Sequence, residues 1–235
     1  MKYSDIKQGI FKERPNRFVA IVEIDGHLEK VHVKNTGRCK ELLTEGATVF
    51  LEDFHNRMGT RKMRYSLIAV VKKENGLLIN MDSQAPNKVV EEALLNKSLS
   101  LPGMDNISYV KRESTYGNSR FDFYVEDDKG KKGYIEVKGV TLEHNGIVRF
   151  PDAPTTRGIK HIEELVEAKK AGFEAYILFV VQMEGMKYFE PNYATHQAFG
   201  EALCNAEKEN VTVLAYDCLV SADSLLLNMP LPVKF

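Results

Sequence analysis

From Phe121 to Lys138 the chain reads Phe-Asp-Phe-Tyr-Val-Glu-Asp-Asp-Lys-Gly-Lys-Lys-Gly-Tyr-Ile-Glu-Val-Lys. Three of these side chains, Asp122, Glu136 and Lys138, are of the types that carry out metal-assisted hydrolysis. Two strands are predicted, with a turn near Lys129-Gly130. Alternation along a strand puts Phe121, Phe123 and Val125 on one face and Asp122 on the other; Glu136 and Lys138 lie opposite Ile135 and Val137. Positions 122 and 136 each stand seven residues from 129, so a symmetric hairpin sets them directly across, with Cα atoms roughly 4.5–5.5 Å apart. Two carboxylates so placed repel unless one is protonated or a cation lies between them. Mg²⁺ or Mn²⁺ suits such a site, held by few carboxylates and completed by water and phosphate oxygens. Lys138 adds a cation that can orient the attacking water or balance charge on phosphorus. Glu-x-Lys alone is common on solvated hairpins. The paired Asp, the apolar inner face and the crossover helix that follows favour the site.

A third acid would complete the cluster. Glu91 and Glu92 lie on a predicted helix just upstream and Glu113 ends the preceding strand; Glu92 is the preferred third ligand and catalytic acid. Basic residues suited to phosphate come from two regions. In Phe150-Pro-Asp-Ala-Pro-Thr-Thr-Arg-Gly-Ile-Lys-His, helical spacing puts Arg157, Lys160, His161 and Glu164 on one stripe, with Ile159, Ile162 and Val166 toward the core. Cations in a first turn oppose the helix dipole, a cost that a bound phosphate would offset; a solvated face balanced by Glu163 and Glu164 explains them equally well. His161 by itself is more often structural. Upstream, Arg14, Arg17, Asn35, Arg38 and Lys40 form one cluster, and Arg57, Arg61, Lys62 and Arg64 another, interleaved with Phe11, Phe18 and Tyr65. On a small barrel they would line a strand-binding groove; a plain solvated surface is the alternative. Arg120, beside Asp122, joins the nucleic-acid-binding set.

The elements that must position these groups fall into two halves. Strands are predicted at Phe18–Ile24, Glu29–Val33, Thr48–Glu52, Tyr65–Lys72 and Leu77–Met81, with turn signals at Asp25-Gly26 and Asn75-Gly76. A short helix fits the stretch from Asn35 to Leu43. Five strands at this spacing suggest a small closed barrel, although an open meander reads similarly. After Pro86 the pattern changes: a helix capped by Asn87 and running to Asn96, strands at Ile107–Glu113, Phe121–Glu126 and Tyr134–Val140, and a helix opening at Pro154-Thr155-Thr156 and stopping at Gly172. A buried strand Ala175–Val181, a helix Gln197–Lys208 and a strand Val211–Tyr216 complete the order, and a helix between two strands of one sheet implies a crossover.

Composition narrows the setting. The 235 residues carry a net charge of −1, so any nucleic-acid contact must come from local patches rather than a global field. Cys39, Cys204 and Cys218 have no zinc spacing and read as reduced thiols of a cytoplasmic protein. No apolar run approaches membrane length, and a membrane is not an expected partner.

Several longer stretches are specific enough to carry a family resemblance: Arg14-Pro-Asn-Arg-Phe, Asn35-Thr-Gly-Arg, Tyr116-Gly-Asn-Ser-Arg-Phe-Asp-Phe, Glu136-Val-Lys138, Phe150-Pro-Asp-Ala-Pro-Thr, Arg157-Gly-x-Lys-His and Ile177-Leu-Phe-Val-Val-Gln. Along nearly its whole length the chain resembles the SfsA, or sugar fermentation stimulation, family. The resemblance implies an α/β (α+β) chain: an OB-like β-barrel over 1–84 for nucleic acid, then a restriction-endonuclease-like PD-(D/E)xK domain over 85–235 with a mixed central sheet flanked by helices. It also implies DNA binding and a role in expression of sugar-utilisation genes, maltose metabolism among them. Binding tolerant of sequence is the expectation for a regulator on this scaffold, and a homodimer is allowed. Gly139 stands where the family commonly has serine, and Cys39 where a larger apolar residue is usual. Three activities stay open: a Mg²⁺- or Mn²⁺-dependent DNA phosphodiesterase, a non-catalytic DNA-binding regulator on the same scaffold, and a phosphohydrolase of nucleotides or sugar phosphates.

Overall fold

In the N-terminal half, alternating apolar residues curl a sheet into a barrel in the computed structural model, which describes residues 1–35 and 37–235. Its strands are β1 (Ile6–Asn16), β2 (Val19–Ile24), β3 (His27–Val33), β4 (Thr48–Asp53), β5 (Tyr65–Val71) and β6 (Leu78–Asn80). They run in the order β3-β2-β1-β4-β5-β6, and a parallel pairing of β3 with β5 closes β1–β5 into a five-stranded OB-like barrel. Ala20, Val22, Val31, Val33, Val49, Leu51 and Leu67 fill its interior. Closure decides against the open meander. The long β1 was not foreseen, because Lys7-Gln8-Gly9 and Lys12-Glu13-Arg14 break its alternation; Gly9 stands in the middle of the strand because a Cβ there would come within 2.5 Å of Val22. The short helix expected between Asn35 and Leu43 does not form among the described residues, and Thr36 lies outside them. Turns occupy the rest of that stretch, and the helical turn that this half does contain is a 3-10 turn at His55–Arg57.

The second half contains α1 (Ala85–Leu95), β7 (Ile107–Tyr116), β8 (Ser119–Asp127), β9 (Lys132–Val140), β10 (Leu142–His144), β11 (Ile147–Phe150), α2 (Thr156–Lys170), β12 (Glu174–Val181), β13 (Tyr188–Pro191), α3 (Tyr193–Lys208), β14 (Thr212–Val220) and β15 (Leu225–Pro230). Six strands form a mixed sheet in the order β15-β14-β12-β9-β8-β7. β9, β12 and β14 are parallel, with α2 carrying the chain from β9 to β12 as the crossover expectation requires. Every residue of β12 after Glu174 is buried, since helices cover both faces. Ala175, Ile177, Phe179 and Val181 pack with α2 and α3, while Tyr176, Leu178 and Val180 pack with α1 and β15.

α2 begins where Thr155 Oγ1 accepts from the Gly158 amide at 3.0 Å, an N-cap of the usual kind. α1 begins two residues before the expected cap. Asp82 accepts from the Gln84 amide and Pro86 sits in the first turn, which frees Asn87 for another role. α3 starts earlier than Gln197, with a non-helical break at His196. The short strands β10, β11, β13 and β15 were not foreseen.

Polar groups buried between the halves join them. Lys72 Nζ donates to Glu143 Oε2 at 2.6 Å and to the Glu143 carbonyl at 2.9 Å. Gln182 Nε2 donates to Asn80 Oδ1 at 2.9 Å and to the Asp82 carbonyl at 3.1 Å. The first residues belong to the second half by contact: Lys2 bridges Ser224, and the Tyr3 amide donates to the Asp223 carbonyl at 2.7 Å.

Candidate active site

The acids converge where β8 and β9 separate. Their ladder runs from Glu126↔Lys132 to Phe123↔Ile135, the register of a hairpin centred on 129, and stops one step short of Asp122 and Glu136. Beyond it, a side chain replaces the backbone partner: the Val137 amide donates to Asp122 Oδ2 at 2.8 Å. On the other side of β8, Glu113 of β7 adopts φ of +52° between the pairs Arg112↔Phe123 and Ser114↔Phe121. This local distortion corrects one expectation. Phe121 does not share a face with Phe123 and Val125; it packs in the α2 core beside Tyr134 and His161, while the other two face α1.

Each carboxylate is tied to a different helix. Asn87 Nδ2, on α1, donates to Asp122 Oδ1 at 2.7 Å. Glu136, only 3% exposed, is hydrogen-bonded through Oε1 to His161 Nδ1 on α2 and to Lys138 Nζ. Arg157 Nε donates to His161 Nε2 at 3.3 Å. Because the guanidinium can only donate, Nε2 is the acceptor and Nδ1 carries the hydrogen toward Glu136. Burial, then the Glu136 charge, push the Asp122 carboxyl above the usual carboxylate range. Burial acts the same way on Glu136, but the His161 hydrogen bond and the Lys138 charge outweigh it and hold that carboxyl low.

Glu136 Oε2 is buried and has no hydrogen-bond partner. A carboxylate oxygen left in this condition is costly. The neighbouring Asp122 carboxyl is raised by burial and by the Glu136 charge, so either a proton on Asp122 or a cation would supply the partner. A hard divalent cation fits this all-oxygen donor set.

The expected third acid is not brought to the pair. Glu92, with its side chain 49% exposed, receives the Met1 ammonium at 2.6 Å; Glu91 pairs with Arg112 and Glu113 with Arg120. Among the described residues no three His, Cys, Asp or Glu side chains cluster as a ligand set. Five residues apart on a helix, Glu92 points well away from Asn87, the residue that faces Asp122.

The basic residues divide. Arg17, Arg38 and Lys40 are exposed on a groove of about 460 Å³ whose wall includes Ala153 and Pro154, just ahead of α2. Arg157 and Lys160 are exposed at the start of α2, and Lys160 Nζ donates to the Asn118 carbonyl at 3.3 Å. Arg14 has a structural task, donating to the carbonyls of Arg17, Asn35, Gly37 and Arg38 at 2.7–2.9 Å. Asn35 Oδ1 accepts from the Gly37 amide at 2.8 Å. Arg120 meets Glu113 at 3.3 Å. His161, expected on the phosphate stripe, is buried against Glu136. Of the second basic cluster, Arg57 and Arg64 pair with acids and Arg61 stacks on Phe54. Sequence reasoning missed the roles of Asn87 and His161; the polar residue two positions after the helix start was the one available signal for the former.

Family models agree with this architecture. The one described as "SfsA N-terminal OB domain" matches residues 13–81, and "Sugar fermentation stimulation protein RE domain" matches residues 84–224. The chain belongs to the SfsA family. The sugar fermentation stimulation protein homolog of Clostridium beijerinckii is 54% identical over 225 residues, 96% of each chain. That of Desulfitobacterium hafniense is 53% identical over 227 residues, 96% of this chain and 94% of the other. Among solved structures, Pyrococcus furiosus SfsA in complex with Ca²⁺ is similar over 100% of this chain and 98% of its own, with TM-score 0.87 and 27% identity. The SfsA fold is thus an OB-like barrel followed by a restriction-endonuclease-like α+β domain. No helix among the described residues is long and apolar enough to cross a membrane.

Proposed function

We propose that this SfsA protein is a Mg²⁺- or Mn²⁺-dependent phosphodiesterase of the PD-(D/E)xK kind acting on DNA, with Asp122 and Glu136 as metal ligands. The observation that carries the reading is the buried, unpartnered Glu136 Oε2 beside Asp122 and Lys138. The Ca²⁺ complex of the Pyrococcus furiosus relative supports a hard divalent ion. Such an ion supplies Lewis acidity toward a phosphoryl oxygen and toward water. Asn87 and His161 hold the two carboxylates in place, and Lys138 orients water or balances charge on phosphorus. Arg157 and Lys160 at the start of α2, with Arg17, Arg38 and Lys40 on the adjoining groove, hold backbone phosphates without reading bases, so binding is sequence-tolerant and weakens as salt rises. The division of labour follows the chain: residues 1–84 bind the strand and 85–235 cut it, apart from the first residues that pair with the second half. Three free cysteines suit a reducing cytoplasm.

Labelled DNA incubated with Mn²⁺ tests the reading. Wild type is expected to cleave it, while Asp122→Asn and Lys138→Ala bind it and do not. Cleavage retained in both variants would refute the assignment. A regulator that binds without cutting is the second reading, favoured by the engagement of Glu91, Glu92 and Glu113 elsewhere. It predicts binding by all three proteins and cleavage by none.

A further inference from the structure

α2 shields only part of its side of the sheet. β7 and β8 extend beyond it, and the uncovered face is aromatic. Register places Lys111 opposite Tyr124, and Tyr124 opposite Tyr134. The Tyr109 and Tyr124 ring centroids are 6.3 Å apart and nearly perpendicular; Tyr124 and Tyr134 are 5.3 Å apart, and Phe173, just past α2, is 5.2 Å from Tyr134. These rings line an open pocket of about 530 Å³ flanked by the exposed Lys111 and Lys132. That volume lies within the roughly 300–1,000 Å³ range of small-ligand sites. Tyr109 is 49% exposed although it carries a large ring.

We propose that this pocket binds unpaired bases of a single-stranded nucleic acid, Tyr109 and Tyr124 stacking on bases above the buried Tyr134 and the lysines meeting flanking phosphates. Aromatic rings beside cations are the combination that recognises single strands, because every base offers a π-face and every linkage a charge. The acid within the pocket, Glu126, is occupied by the Tyr124 hydroxyl and so is not directed at sugar hydroxyls. Tyr134 lies two residues before Glu136 on β9 and so on the same face of the strand, about 7 Å along it. The inference rests on the nucleic-acid reading of the acid pair and adds to it a preference for unpaired strands.

Binding measured by fluorescence anisotropy in EDTA, where no metal-dependent cleavage occurs, tests the pocket separately. The probes are a labelled oligothymidylate and an abasic deoxyribose-phosphate strand of the same length. Wild type is expected to prefer the thymidylate. Tyr109→Ala should weaken that binding about tenfold and leave the abasic strand unaffected, while Tyr109→Phe behaves as wild type. Equal affinity for both strands, an unchanged Tyr109→Ala protein, or competition by maltooligosaccharides would overturn the proposal. A protein that discriminates the strands without cutting DNA would leave the pocket standing and refute only the cleavage reading; one that cuts without discriminating would do the reverse.

Discussion

Replacing Lys72 by methionine should loosen the joint between the barrel and the second half. Lys72 and Glu143 are each 4% exposed, and the ammonium bonds both the carboxylate and the carbonyl of Glu143. Without it, Glu143 keeps the Gly146 amide at 2.7 Å and a long contact to Asn75 at 3.4 Å, too little for a buried charge. Removing one partner of a buried pair costs about 3–5 kcal/mol. At roughly 2–4 °C per kcal/mol for a chain of this size, Tm should fall by about 10 °C. The pH dependence has a defined sign. Burial pushes the Glu143 carboxyl up, but Lys72 and the Gly146 amide outweigh it and hold it below its ordinary value. Its contribution is therefore full above the ordinary glutamate pKa and is lost as pH falls through the depressed folded value. Burial likewise lowers the Lys72 pKa, but Glu143 raises it further, so its contribution is full below the ordinary lysine value and is lost as pH rises through the raised one. Thermal unfolding followed by circular dichroism should show the largest gap between wild type and Lys72→Met near neutrality. The gap should narrow in acid, where the stranded Glu143 protonates. Lys72→Met with Glu143→Leu should recover most of the loss. A single variant within 2 °C of wild type would show that the Lys72–Glu143 pair does not hold the halves together, as would a double variant as unstable as the two losses summed.

Other consequences are checked more simply. Asn87→Leu should cost about 1–3 kcal/mol in unfolding, as it strands Asp122 Oδ1, and reduce Mn²⁺-dependent cleavage about 10- to 100-fold under conditions where the variant is folded, because it removes the group that orients Asp122. Gly139→Ala should cost about 1–3 kcal/mol in urea unfolding, since a Cβ there would meet Gln182 Oε1 at 2.6 Å and Pro86 Cγ at 2.8 Å. Arg14→Ala should speed proteolysis at Arg38 and weaken DNA binding while cleavage per bound strand is unaffected, as it removes four bonds to the carbonyls of Arg17, Asn35, Gly37 and Arg38 beside the groove.

The parts of the fold legible in the sequence are mostly periodic. The hairpin centred on residue 129, the buried strand after α2 and the crossover between them follow from alternation and turn chemistry. β1 escaped because its outward face is charged and Gly9 interrupts its inward one. The face shared by Phe121 and Phe123 was wrongly expected because parity holds only while a strand stays regular, and the distortion at Glu113 and Asp122 breaks it there. Asn87 and His161 were misread for a related reason. Side-chain hydrogen bonds spanning 35 and 25 residues leave no local pattern, and capping or phosphate binding was the nearest local explanation. Glu92 was preferred among three acids on position alone, and the N-terminal amine that engages it is remote in sequence.

If Asp122 and Glu136 form one divalent-cation site, manganese should be held between them. Anomalous diffraction from crystals of the full chain grown with Mn²⁺ tests it most directly. A peak is expected between the two carboxylates within bonding distance of Glu136 Oε2, lost in Asp122→Asn; a well-ordered site with no peak, or with manganese bound only elsewhere, would mean that the pair is not a cation site.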